Sequence, residues 1–120
     1  MKVSSSNQVK QLKHLYDRFN ARDVEAALVL MHRDVMWANG FEGGHVCGRC
    51  AVREYWKRQW GAIDPHVDPI DFSSVLDGEV IVEVRQVVRD LQGTLLADQM
   101  VVHIFGIESG LIKRFDIYNP

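Results

Sequence analysis

A chain of 120 residues is long enough for one domain with its own core, and domains usually divide only at about twice that length. A hydrophobic share of 47% with 25% charged residues excludes disorder, and 14 basic against 16 acidic residues leave no positive excess to hold a phosphate backbone, so no nucleic-acid partner is expected. No apolar run approaches the ~20 residues of a membrane span, and Met1–Gln8 (MKVSSSNQ) lacks the apolar centre of a secretory signal, so the expectation is a cytoplasmic domain over 1–120 with 1–6 flexible and no membrane partner.

Ser5, followed three residues later by Gln8, fits a capping box at a helix start. Val9, Leu12, Leu15, Tyr16 and Phe19 then recur at helical spacing. Asn20 to Arg22 breaks the pattern, and Asp23 can cap a second helix that turns Val24, Ala27, Leu28 and Met31 inward and ends near His32 or Arg33. Val35 to Asn39 reads as a short strand and Gly40 to Gly48 as a loop. A third helix is expected from about Cys50 to Trp60, with Val52, Tyr55, Trp56 and Trp60 on one face and Gly61 ending it.

Pro65 and Pro69 forbid helix, and from Ile70 the period changes to two. Ile70, Phe72, Ser74 and Leu76 alternate with Asp71, Ser73 and Val75. Asp77-Gly78 is a turn pair, and Val80–Arg89, Thr94–Phe105 and Leu111–Tyr118 read as further strands joined at Gly93 and Gly110. Helices first and an antiparallel meander afterwards give an α+β fold.

Val80, Val82, Val84, Gln86 and Val88 should face the helices, with Glu83, Arg85 and Arg89 opposite. In the next strand Leu95, Ala97, Gln99, Val101, His103 and Phe105 share the interior parity. The other set, Leu96, Asp98, Met100, Val102 and Ile104, is also largely apolar. Three helices cannot cover both faces, so a homodimer through the outer sheet face is expected.

Cys47 and Cys50 form a lone C-x-x-C with His45 as the nearest further ligand. Zinc needs about four ligands, so no metal and no cofactor are expected. The His-Arg-Asp string at His32–Asp34 has no kinase context, and no phosphate-binding glycine motif occurs.

The stretch Leu15–Val35 (LYDRFNARDVEAALVLMHRDV), Gly48-Arg49 ahead of Tyr55-Trp56, and the closing VVHIFGIESGLIKRFDIYNP together resemble the nuclear transport factor 2-like superfamily, which includes ketosteroid isomerase and SnoaL-type polyketide cyclases. The likeness runs from about Val9 to Asn119. It implies three N-terminal helices packed in a strongly curved, mainly antiparallel sheet, a cone-shaped α+β barrel with a pocket inside. The positions matching the isomerase's two acidic residues hold Asn39 and Val101, and its helix-one tyrosine matches Leu15, with Tyr16 turned by about 100°. An amide is too weak a base to take a proton from carbon, so that mechanism is rejected.

His103 can pass protons near neutrality, or can sit in the core bonded to a neighbour. Asn39, Gln86 and Gln99 suggest a wet or ligand-filled cavity, or else bond loop backbone or sit at strand ends in solvent. Tyr16, Trp37, Trp56, Trp60 and Phe115 can line an aromatic pocket or simply pack, with Trp60 placed to gate it. The resemblance adds Ile117 and Asn119 to the pocket side and leaves Asp116 outside; parity turns Asp98 away from the cone. The leading expectation is a protein that binds a small hydrophobic or aromatic molecule, acting as a cofactor-free isomerase, cyclase or dehydratase with His103 and Asn39 as catalytic candidates, His103 as acid–base and Asn39 with Gln99 as polar anchors. The rival is a non-enzymatic binding or association module.

Overall fold

The computed structural model describes residues 2–76 and 78–119, with the side chains of 7–73 and 78–119. Helix α1 (Lys2–Asn20) carries Leu12, Leu15 and Tyr16 into the core on one stripe. It begins ahead of Ser5, so the expected capping box does not mark its start; the Ser5 side chain lies outside the described residues. Asn20 ends the helix by docking on a neighbouring strand: its Nδ2 donates to Val67 O at 2.7 Å and its Oδ1 accepts from Val67 N at 3.0 Å.

Asp23 caps α2 (Val24–Leu28), its Oδ1 accepting from Ala26 N at 3.3 Å. This helix is shorter than expected. Met31 is fully buried, but from strand β1 (Met31–Ala38), because the chain leaves the helix to run parallel beside β6 (Leu111–Tyr118), where Leu30 O accepts from Ile112 N. The expected loop also contains a strand, β2 (His45–Cys47), which pairs antiparallel with β1. At Gly48 φ is +91°, a conformation glycine adopts without strain, and helix α3 (Arg49–Ala62) starts there and runs through Gly61 without ending. Arg49 ties that start to β1, its Nε and Nη2 both donating to Met31 O.

Strand β3 (Ile63–Leu76) starts seven residues before the expected Ile70 and includes both prolines. It can do so because it is the outermost strand of the six, where a missing N–H leaves no partner unpaired. Then come β4 (Glu79–Asp90), β5 (Leu95–Glu108) and β6. Asp77 of the expected turn, and the side chains of Ser74, Val75 and Leu76, lie outside the described residues. Gly78 has φ +79°, and a Cβ there would stand 2.7 Å from Ile107 O, so the position demands glycine.

The sheet order is β2-β1-β6-β5-β4-β3, antiparallel except for β1 with β6. The curved sheet wraps the three helices but stays open rather than closing into a barrel. Val80, Val82 and Val84 are fully buried beneath the helices, as their alternation predicts. Cover runs out toward the β4–β5 turn, so Gln86 and Val88 are half-buried and Leu95 and Gln99 are exposed despite interior parity. No helix among the described residues is long and apolar enough to cross a membrane.

Candidate functional site

Beneath the helices lies a cavity of about 60 Å³ to which every layer of the fold contributes. Its walls are aromatic. Trp37 of β1 stacks on Phe115 of β6 with centroids 4.1 Å apart, and Trp56 of α3 meets Trp37 edge-on at 5.5 Å. These contacts follow from sequence pattern: Trp56 lies on the buried stripe of α3, and the register pairs Trp37 with Phe115.

His103 of β5 is the polar centre. Its ring lies edge-on to Phe115 at 4.8 Å, and its Nδ1 stands 2.7 Å from the Tyr16 hydroxyl. Both residues are buried, at 6% and 3% exposure. Proton accounting assigns the tautomer. Were Nδ1–H to donate to Tyr16, the phenol proton would be a buried donor with no acceptor among the described residues. With Tyr16 donating to Nδ1, the hydroxyl proton and Nδ1 satisfy each other, and Nε2–H is the one donor left, presented to the cavity. Burial pushes the His103 pKa down to about 3 and the Tyr16 pKa well above the ordinary phenol value. At neutral pH the pair is therefore uncharged. It can donate a hydrogen bond but is a poor proton acceptor.

Above the cavity a wider depression of about 570 Å³ forms a mouth, and the two share Tyr55, Gln59, Gln86 and Ile117. Gln59 is buried, its Nε2 donating to the Tyr55 hydroxyl at 3.3 Å. The mouth carries an ion-pair chain in which Asp116 bonds His45 Nε2 at 2.7 Å and Arg114 Nε at 2.6 Å. Burial raises the Asp116 pKa, but these hydrogen bonds outweigh it and hold the carboxyl below its usual range.

Of the residues expected at the site, Tyr16, Trp37, Trp56, Gln86, His103 and Phe115 come together on the cavity. Asn39, Gln99 and Asn119 line the mouth instead. The buried Asn39 side chain is engaged in its own loop: Nδ2 donates to Glu42, and Oδ1 accepts from Phe41 N and Glu42 N. Trp60 lies outside the cavity lining, packed on Phe19 and Trp56 with the Arg22 guanidinium 5.0 Å above its ring. Tyr16 and Leu15, adjacent on α1, both line the cavity.

Cavity residues that the sequence did not assign to the site include Phe19, Tyr55, Gln59, Pro65, Val67 and Phe105. Gln59 could have been found, since it stands four residues after Tyr55 on the same helix face. Pro65 and Val67 could not, because their strand was not recognised. Asp98 pairs with Arg85 on the outer face. Cys47 and Cys50 are exposed thiols, and no cluster of three metal-ligating side chains occurs among the described residues.

A family model described as the SnoaL-like domain matches residues 12–115. Among solved structures, the chain is similar to TerC co-crystallised with polyporic acid, at 23% identity over 94% of this chain and 92% of that chain, with a TM-score of 0.83. It is also similar to a putative polyketide cyclase from Xanthomonas campestris pv. campestris, at 19% identity over 96% and 91%, with a TM-score of 0.82. A Mycobacterium tuberculosis protein in complex with estradiol-17beta-hemisuccinate matches at 18% identity over 95% and 94%, with a TM-score of 0.81. Comparison with curated proteins finds no match.

Proposed function

The chain belongs to the SnoaL-like domain family, and on that premise we propose that its cone binds a small hydrophobic or aromatic molecule, with His103 Nε2–H hydrogen-bonding the molecule's oxygen and Tyr16 holding the His103 ring in place. The observation that carries this reading is the buried Tyr16–His103 bond set in an aromatic box, with Nε2–H left to the cavity. Hydrogen-bonded polar groups in an otherwise apolar cavity orient a guest and select it by its partner atom. The names of the similar structures agree with a small-molecule site: one protein was co-crystallised with polyporic acid and another is in complex with estradiol-17beta-hemisuccinate.

At about 60 Å³ the cavity is well below the ~300 Å³ of an ordinary ligand site. A ring-sized guest therefore spreads the lining or extends into the mouth. The chemistry that fits is isomerisation, cyclisation or dehydration of a carbonyl compound, with the His103 N–H polarising the carbonyl. Burial makes that role better suited to His103 than the proton transfer expected from sequence, since an imidazolium here would be cut off from water with no carboxylate among the described residues of the cavity lining.

A thermal-shift screen across steroids, polyketides and aromatic ketones tests the reading. Binding to the native state raises the melting temperature, and His103→Phe should abolish the rise. A flat response to every compound overturns the proposal.

A second reading concerns assembly. The outer sheet face leaves Met100, Leu96 and Tyr118 about half exposed or more, at 47%, 56% and 59%. Beside them Arg85 and Asp98 pair on the same face. A mixed apolar and alternately charged face is self-complementary about a two-fold axis, which supports a homodimer.

A further inference from the structure

Resting on the reading of the cone as a ligand site, we infer that the cavity selects uncharged ligands and rejects carboxylates and ammonium ions of the same shape. The lining carries hydrogen-bonding groups from Tyr16, Tyr55, Gln59, Gln86 and His103, and no Asp, Glu, Lys or Arg among the described residues. Each of those polar groups is neutral at pH 7: two are amides, two are phenols raised by burial, and the imidazole is held uncharged by the same cause.

An ion entering this space would shed its water and meet no counter-charge, which costs far more than burying a neutral carbonyl that keeps one hydrogen bond. Nor are the neighbouring charges free to follow it. Asp116 is bonded to Arg114 and His45, and Glu42 to Arg58 at 3.0 Å. A carboxylate also wants several donors. Here the donors left to it, the second Gln59 N–H, the Tyr55 O–H, His103 Nε2–H and the Gln86 amide, are all neutral, so none supplies a counter-charge.

Gln86 is the position that sets the preference. It stands half-buried on β4, between cavity and mouth, where a longer cationic side chain could reach inward while keeping its stem on the wall.

The experiment compares acetophenone, benzoate and benzylamine, then 2-acetylnaphthalene and 2-naphthoate, by calorimetry at pH 7 on the wild-type chain and on Gln86→Lys. In the wild type each ketone should bind at least about tenfold more tightly than the ion of matching ring, a modest share of the cost of an unpaired buried charge. Gln86→Lys should move the ketone-to-carboxylate ratio at least about tenfold toward the carboxylate. Wild-type binding of the carboxylates as tightly as the ketones overturns the inference but leaves the cone a ligand site. Failure of all five compounds to bind overturns both. A Gln86→Lys chain that does not fold leaves the wild-type ratio to decide.

Discussion

Acid should destabilise this protein through His103, and replacing that residue by glutamine should remove the effect. The unfolded chain takes up a proton on His103 near its ordinary pKa of about 6.5, whereas the native state holds the ring neutral down to about 3. Between those values the unfolded state binds more protons, so stability falls as pH falls. The contribution approaches about 1.4 kcal/mol for each pH unit well below 6.5, and amounts to about 2 kcal/mol between pH 6.5 and 4.5. Against a typical net stability of about 5–15 kcal/mol, that is a large fraction.

Urea unfolding followed by tryptophan fluorescence at pH 7.0, 5.5 and 4.5 measures it, with wild type and His103→Gln run side by side. The carboxylates whose pKa values are lowered by ion pairs, such as Asp98 beside Arg85, titrate alike in both chains and cancel in the comparison. Wild type should lose about 2–3 kcal/mol more than the variant between pH 7.0 and 4.5. Equal losses would show that His103 is not held neutral by burial, and the hydrogen-bond-donor role would fall with it.

Tyr16→Phe leaves His103 Nδ1 as an unpaired buried acceptor and should cost about 1–3 kcal/mol of stability, read as a lower urea midpoint. Nitrogen NMR of His103 should show Nε2 protonated in the wild type and a mixture of tautomers in that variant. Asn20→Ala breaks both bonds that tie the end of α1 to Val67 and should cost about 1–3 kcal/mol, with faster amide exchange at Val67 as the local signature. Met100→Glu places charge on the outer sheet face; sedimentation should show a dimer for the wild type and a monomer for the variant.

What the sequence made legible followed from repetition. Val80, Val82 and Val84 alternate without a break, and Leu12, Leu15 and Tyr16 hold helical spacing, so both core faces were assigned correctly. Parity names a face but not a depth, which is why Gln99 was placed inside when it stands exposed beyond the cover of the helices. Val24 to Met31 is too short for periodicity to separate helix from strand, and pairing with β6 decided it. Three-residue β2 hides among glycines because pairing with β1, rather than composition, makes it a strand.

The site divided in the same way. Tyr16 and His103 were each named, but their bond spans 87 residues and depends on how α1 lies across β5. Asn39 was read as a polar group for the pocket, yet it is followed by a glycine-rich hairpin tip whose free N–H groups its side chain satisfies.

The central claim is that the cone receives a ligand whose oxygen is held by His103 Nε2. Its most direct test is a crystal structure with the tightest-binding ketone from the screen. The account predicts the ketone ring against Trp37 and Phe115 and its oxygen within ordinary hydrogen-bonding distance, about 2.7–3.2 Å, of His103 Nε2. A ketone bound elsewhere, or one in the cone with its oxygen turned away from His103, would contradict it.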